Sequence, residues 1–429
     1  MKKNFNIAIV GLGQIGNYLY NELKIKKKDI QIKTGKKINI VAISAKNKNK
    51  KRKFKINKKV FYKNPLEIFK KEKIDILIEA IGQSNGISKK VVETALKNKI
   101  HVITPNKALI SKHGDYLANL AEKNKVNLEF EASVGGGIPI LRTIKEGLAT
   151  NKLFKVYGIL NGTCNYILTQ MEKTKDSFSN VLKKAQLLGY AEPSNPKLDL
   201  NGYDALAKVK ILSALSFNNK VSNKDCLMEG IENIESKDIE ISDQLNFRIK
   251  LLGITEMINN QIYERVHPCL VNKDSYIGNV NGVMNAVIIE GNPVGESVLQ
   301  GEGAGPGPTS SALMSDILSI LRGNIKYPFG ITNKRRKIIK TYDANNYSNS
   351  LYVRLEVKDK PGVLSIITKQ LAKNNISVQR LIQMPDHKRK TASIVIITHD
   401  ANEKDSKRCF RSIGNNKNIL KNPVIIRLF

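Results

Sequence analysis

Short apolar runs alternate with amphipathic stretches over the first 130 positions. Buried strands are predicted at Phe5–Val10, Ile38–Ser44, Ile74–Ala80 and Ile100–Thr104, with helices at Gln14–Leu23 and Ser88–Asn98. Such β-α-β alternation implies a parallel, doubly wound sheet, an α/β domain over residues 1–130. From Glu131 the pattern changes to glycine-rich turns followed by long amphipathic segments at Leu141–Thr150, Cys164–Thr174 and Tyr203–Phe217. Strands are predicted between them at Lys155–Leu160, Gln261–Leu270 and Ala286–Gly291, which makes residues 131–307 an α+β substrate domain. Pro308–Arg322 reads as a closing helix, and residues 308–330 are expected to pack back onto the first domain. Residues 331–350 are polar and read as a linker. Residues 351–429 follow the order β-α-β-β-α-β, a ferredoxin-like pattern.

The chain has 429 residues, 41% of them hydrophobic, enough to bury several cores without disulfide or metal support. No apolar run approaches the length of a membrane span. Cys164, Cys226, Cys269 and Cys409 lie far apart with no C-x-x-C pair, which argues against zinc and disulfides and for a reduced, cytoplasmic setting. The formal charge of +33 raises the question of nucleic-acid binding. The lysines are scattered over most elements and interleaved with asparagine, with no stacking aromatics between them, so a specific nucleic-acid partner is not expected.

Gly11-Leu12-Gly13-Gln14-Ile15-Gly16 directly follows the first predicted strand and opens a helix. In that context the G-x-G-x-x-G spacing is a dinucleotide fingerprint. The first glycine allows the tight turn, the second admits the pyrophosphate, and the third lets helix and strand pack closely. A site selective for NAD would place an acidic residue at the end of the second strand. Ser44-Ala45-Lys46-Asn47-Lys48 stands there instead, which favours NADP(H) over NAD(H), with Lys46 the assigned contact and Lys48 and Arg52 weaker ones.

Between Glu192 and Lys208 the chain concentrates three carboxylates and a lysine. Asp204 and Lys208 stand four apart on a predicted helix and so share one face. By spacing alone they form either an exposed ion pair or part of an active site.

These blocks resemble the homoserine dehydrogenase family. The resemblance covers about residues 5–325. It is carried by the nucleotide loop, Glu79-Ala80-Ile81-Gly82, Thr104-Pro105-Asn106-Lys107, Glu131-Ala132-Ser133-Val134-Gly135-Gly136-Gly137-Ile138-Pro139 and Asn161-Gly162-Thr163-Cys164-Asn165-Tyr166. It continues through Gly189-Tyr190-Ala191-Glu192-Pro193, Asp199 to Lys208, and Gly301-Glu302-Gly303-Ala304-Gly305. It implies hydride transfer between NADP(H) and the pair homoserine and aspartate semialdehyde. Lys208 is the implied acid, with Lys107 beside nicotinamide and substrate. Glu192, Asp199 and Asp204 would hold the substrate with Lys208. Thr104, Gly189 and Gly303 join Gly11–Gly16 at the cofactor. The loop Glu131–Ile138 resembles a monovalent cation site, such as one for Na+, formed by Glu131 and the carbonyls of Val134, Gly136 and Ile138; a glycine-rich hinge is the alternative. One departure is that Asp199 lies seven residues after Glu192, one more than usual, and Asn195-Pro196 replaces Asp-Pro.

Asp359-Lys360-Pro361-Gly362-Val363-Leu364, with Asn375-Ile376-Ser377-Val378 and Thr398-His399, looks like an ACT domain. That resemblance implies feedback control by an amino acid, threonine foremost, with Asn375 and the Lys360–Leu364 turn as contacts, or a module that only dimerises. A homodimer or homotetramer is expected.

Overall fold

The computed structural model describes every residue except Met1, Pro193, Ser194, Asn223, Asp225 and His387. In the first domain, six parallel strands stand in the order β3-β2-β1-β4-β5-β6. They are β1 (Asn4–Val10), β2 (Lys37–Ser44), β3 (Phe61–Tyr62), β4 (Ile76–Glu79), β5 (His101–Ile103) and β6 (Leu128–Glu129). The strand order reverses between β1 and β4, which remain parallel, so a crevice opens at the carboxyl ends of those strands. Ile7, Ala8, Ile9 and Val10 are all buried because helices cover both faces. One of those covers is the Pro306–Leu321 helix, whose Leu313, Ile317 and Ile320 pack with Leu19 and Leu23 of the Gln14–Ile25 helix.

The rest of the chain builds one large mixed sheet. Its strands are β7 (Lys152–Ile159), β8 (Leu227–Met228), β9 (Phe247–Ile258), β10 (Gln261–Asn272), β11 (Met284–Asn292) and β12 (Gly295–Glu302). The pair β13 (Ser348–Asn349) and β17 (Ala401–Asn402) stands apart from it. The C-terminal strands are β14 (Leu351–Lys358), β15 (Val378–Asp386), β16 (Thr391–Thr398) and β18 (Val424–Leu428). Together they run β12-β11-β7-β9-β10-β18-β14-β16-β15, with β8 also paired to β10. The C-terminal unit has the predicted ferredoxin-like order β18-β14-β16-β15, and its sheet continues that of the substrate domain. The join is a parallel pairing of β10 with β18 at Cys269↔Arg427 and Leu270↔Leu428.

A buried ion pair reinforces the join. Arg354 on β14 forks onto Asp238 of the Ser236–Gln244 helix, Nε to Oδ1 at 2.6 Å and Nη2 to Oδ2 at 3.0 Å. The Tyr352 hydroxyl donates to the same carboxylate at 2.8 Å, and none of the three side chains reaches solvent.

Two expectations change. The Leu141–Thr150 segment is not one long helix: a short turn at Ile140–Arg142 passes into a π-helical turn at Thr143–Gly147, closed by the Leu148 amide on the Thr143 carbonyl. The extra residue per turn comes just after the glycine-rich hinge, beside the site. The stretch 331–350 has no helix longer than one turn, as its polarity suggests, yet it is anchored. Arg336 is buried over the Phe329 ring and donates to the Asn219 carbonyl and the Asp115 carboxylate.

Candidate functional site

At the end of β1 the chain turns at Gly11, whose φ of +100° is open to glycine. A Cβ there would lie 2.4 Å from the Ala80 carbonyl oxygen, and one on Gly16 would lie 1.9 Å from that of Gly11. A Cβ on Gly13 would meet nothing within 4 Å. The first and third glycines are therefore demanded by packing, and the second leaves room above the helix. Gly13 caps the Gln14–Ile25 helix without a side-chain bond, so its first amides are left for an anion. A dinucleotide fits this cradle.

The basic stretch after β2 folds back over the cradle. Arg52 donates from Nε to the Leu12 carbonyl at 3.3 Å and from Nη2 to the Asn47 carbonyl at 2.7 Å. Lys50, Lys51, Arg52 and Lys53 line a cavity of about 550 Å³ with Gly13 and Tyr18. Lys46 is exposed and outside that lining. Thr104 is fully buried, and its hydroxyl donates to Glu79 at 2.6 Å. Glu79 also accepts from Ser88 and from the Ile81 and Gly82 amides, so Thr104 serves a network that braces the ends of β4 and β5.

A second cavity, about 570 Å³, runs from Gln14 and Ile15 past Gly189 and Gly303 to Lys107, Asp199, Asp204 and Lys208. At its floor Asp204 sits between two ammonium groups, 2.7 Å from Lys208 Nζ and 2.7 Å from Lys107 Nζ. The Tyr203–Ser216 helix supplies Asp204 and Lys208 on one face, and Lys107 opens the Lys107–Asn124 helix. Lys208 also donates to the Leu160 carbonyl at 2.6 Å. Asn161 gathers the carboxylates, donating to Asp199 at 2.8 Å and Asp204 at 3.0 Å while its own oxygen caps the Gly162–Thr174 helix.

Burial lowers the Lys208 pKa below the ordinary lysine value, although Asp204 pulls the other way. Around Lys107 burial also disfavours the charge, but Asp204 outweighs it and the pKa is raised. Burial works against the Asp204 carboxylate too, yet the two lysines hold it well below the usual range. Burial and the neighbouring Asp204 charge raise Asp199. Two lysines thus share one firmly ionised carboxylate, and of the two Lys208 is the better poised to give up a proton.

Comparison with known proteins bears on the chemistry of this cavity. Residues 11–131 match the model of the homoserine dehydrogenase NAD binding domain, residues 139–318 that of homoserine dehydrogenase, and residues 351–408 that of the ACT domain. The homoserine dehydrogenase of Neisseria gonorrhoeae is 38% identical over 96% of this chain and 95% of its own length. The chain belongs to the homoserine dehydrogenase family. The Helicobacter pylori member is 37% identical across the full length of both chains. The crystal structure of a homoserine dehydrogenase from Thiobacillus denitrificans superposes with a TM-score of 0.91 at 32% identity, covering 100% of this chain and 99% of that one. The chain is accordingly an NAD(P)-dependent oxidoreductase acting on a CH–OH group, with a Rossmann-like domain and a C-terminal ACT domain.

Within this homoserine dehydrogenase scaffold, Glu192 stands apart from the other assigned substrate residues: it is exposed and does not line the cavity. The neighbouring Pro193 lies outside the described residues. Tyr190 is close by, held by the Thr163 hydroxyl on its carbonyl at 2.6 Å and by its ring against Tyr166.

The hinge loop presents a different arrangement. Glu131 is buried, accepts the Leu141 amide on one oxygen at 2.9 Å, and leaves Oε2 with no partner. Asp316 accepts the Glu131 amide at 3.1 Å and Arg142 at 3.0 Å, while Lys145 pairs with Glu129 at 3.3 Å. Three carboxyl groups (Glu129, Glu131, Asp316) thus crowd together beside two cations. Burial and these like charges raise Asp316 well above the usual carboxylate range, and burial raises Glu131. Among the described residues no group of three His, Cys, Asp or Glu is arranged to hold a metal ion, so a cation here would rest on Glu131 and loop carbonyls. The orphaned Oε2 fits such an ion.

Asn161, Glu79 and Asp316 escaped the sequence reading as site residues. Asn161 and Glu79 lie inside motifs that carry the family resemblance, and a polar residue at the carboxyl end of a buried strand is the signal that could have found them. Asp316 had no signal, because its partners are brought to it only by the return of the chain.

Proposed function

We propose that the chain interconverts L-aspartate 4-semialdehyde and L-homoserine using NADP(H), as a cytoplasmic enzyme controlled by an amino acid through its C-terminal domain. The observation that carries the chemistry is Asp204 bridging Lys208 and Lys107 at the floor of the cavity that begins at the nucleotide loop. NADP(H), when bound, gives or takes the hydride. Gly11, Leu12, Gly13, Gln14, Ile15 and Gly16 would hold its pyrophosphate, with Gly189 and Gly303 along its path. Lys46 and the lysines at 50, 51 and 53 supply the positive field for a 2′-phosphate.

The residues at the floor divide the work. In the reducing direction Lys208 protonates the oxygen as its charge develops, and its lowered pKa eases that donation. Lys107 stays charged and steadies the oxygen and its neighbours. Asp199 and Asp204 face the substrate's α-ammonium, and Asn161 fixes both carboxylates for that task. Glu192 would join them only if the Gly189–Glu192 turn closes over the bound substrate.

Glu131 with the carbonyls of Val134, Gly136 and Ile138 would hold a structural Na+ or similar ion, which would give the unpartnered Glu131 Oε2 its ligand. Threonine is the favoured effector, and a homodimer or homotetramer the favoured assembly. The edge strand β12, with Val298 exposed, offers one surface for it. The test is spectrophotometric: homoserine oxidation followed with NADP and with NAD, with and without threonine. Faster turnover with NAD would refute the cofactor preference. Absence of homoserine-dependent reduction of either cofactor would refute the reaction.

A further inference from the structure

The substrate cluster and the C-terminal domain share a route through the loop that follows β8. Arg427 on β18 is buried, and its guanidinium lies between two carboxylates. Nη1 and Nη2 fork onto Glu229 at 2.6 and 3.1 Å, while Nε and Nη2 reach Glu403 at 3.2 and 2.6 Å. Glu403 belongs to the C-terminal domain, but Glu229 belongs to the substrate domain.

Glu229 begins a short segment set tightly against the residues that carry the substrate carboxylates. Its amide donates to the Val266 carbonyl at 2.8 Å. The next residue, Gly230, packs so closely that a Cβ would lie 2.2 Å from the Leu200 carbonyl oxygen. The amide of fully buried Ile231 then donates to that same oxygen at 3.1 Å. Leu200 directly follows Asp199, and the turn from Leu200 through Gly202 delivers Asp204 at the start of its helix. A bidentate arginine fork fixes both position and orientation of a carboxylate, so it fixes the segment behind that carboxylate as well.

We propose that Arg427 is a positioning residue for substrate binding: through its fork on Glu229 it holds the Glu229–Ile231 segment against Leu200 and so sets the register of Asp199 and Asp204. A residue of the C-terminal domain is thereby part of the framework of the substrate site, and a change at β18 reaches the substrate carboxylates through the fork on Glu229, the Glu229–Ile231 segment and the Ile231–Leu200 hydrogen bond. This rests on the assignment of Asp199 and Asp204 to the substrate's ammonium group.

The experiment uses the full-length chain, comparing Glu229→Gln, Arg427→Met and Arg427→Lys with Asp199→Asn. Loss of a charged fork predicts a rise of about tenfold in KM for homoserine in Glu229→Gln and Arg427→Met. The expected kcat at saturation stays within about twofold, the cofactor KM is unchanged, and Arg427→Lys recovers part of the loss. A role in folding alone would lower the active fraction, and with it kcat, while leaving KM in place. Glu229→Gln removes only a charge from a half-exposed group, so it carries the test should Arg427→Met fail to fold. An unchanged homoserine KM in Glu229→Gln beside a raised one in Asp199→Asn overturns this inference alone. An unchanged KM in both variants overturns it together with the substrate assignment beneath it.

Discussion

Replacing Asp204 by asparagine should shift the pH profile of homoserine oxidation toward lower pH. In that direction Lys208 must accept a proton, so kcat climbs as pH rises through the Lys208 pKa. Asp204 lies 2.7 Å from the ammonium and favours its charged form. Two unit charges about 4 Å apart at an effective dielectric near 20 attract by about 4 kcal/mol. That corresponds to about 3 pH units as an upper limit, since each unit is about 1.4 kcal/mol. The amide keeps a hydrogen bond to Lys208, while the Lys107 charge continues to oppose a second cation, so the expected displacement is ~1–3 units. The assay is kcat for oxidation at saturating homoserine and cofactor from about pH 6 to 10, with Lys208→Ala as the control that removes the limb. A limb that stays in place, or moves to higher pH, would show that Asp204 does not govern the acid, and the assignment of Lys208 would fall with it.

Lys208→Ala should lower kcat by a factor of ~100–10,000 while leaving cofactor affinity near normal by fluorescence titration; a modest loss of turnover would remove Lys208 from the proton transfer. Arg354→Ala should destabilise the chain by about 3–5 kcal/mol in urea unfolding, because Asp238 is left charged and buried without its partner; a change within about 0.5 kcal/mol would refute the weld between the domains. Exchanging Na+ for a bulky organic cation at constant ionic strength should lower the melting temperature of the native chain but not of Glu131→Gln, and equal responses would dismiss the hinge site. Stability should also fall as pH rises from about 4 toward neutrality through the Asp316 contribution, since burial raises that carboxyl's pKa and the folded state holds the proton longer than the unfolded one. In Asp316→Asn that slope should flatten, as read from melting temperature against pH.

Much of the first domain was legible because its signals are local. Apolar runs buried on both faces and a fingerprint between strand and helix announce themselves without tertiary context, as does the returning helix, read from Pro308 and beginning at Pro306. The large sheet was less legible. β9 alternates at Phe247–Leu251 but loses the pattern at Leu252-Gly253-Ile254, so no strand period runs its length, and β12 is a polar edge whose exposed positions look like loop. The site divides the same way. Asp204 and Lys208 are four apart on one helix and could be paired by spacing, whereas Lys107 reaches them only across the domain boundary. Thr104 shows the opposite limit, since its motif suggested a cofactor contact and its hydroxyl belongs to Glu79.

The pairing of β10 with β18 bears on how the chain is made. β18 is made after every other strand of this sheet, so the substrate domain waits with the Cys269–Leu270 edge of β10 uncovered until β18 has emerged. During that interval this edge of β10 stands open to pairing with other chains, a recognised hazard for nascent proteins. A chain cut before Val424 would keep that edge open, so the seam between the two domains is closed by a strand remote in sequence from the one it covers.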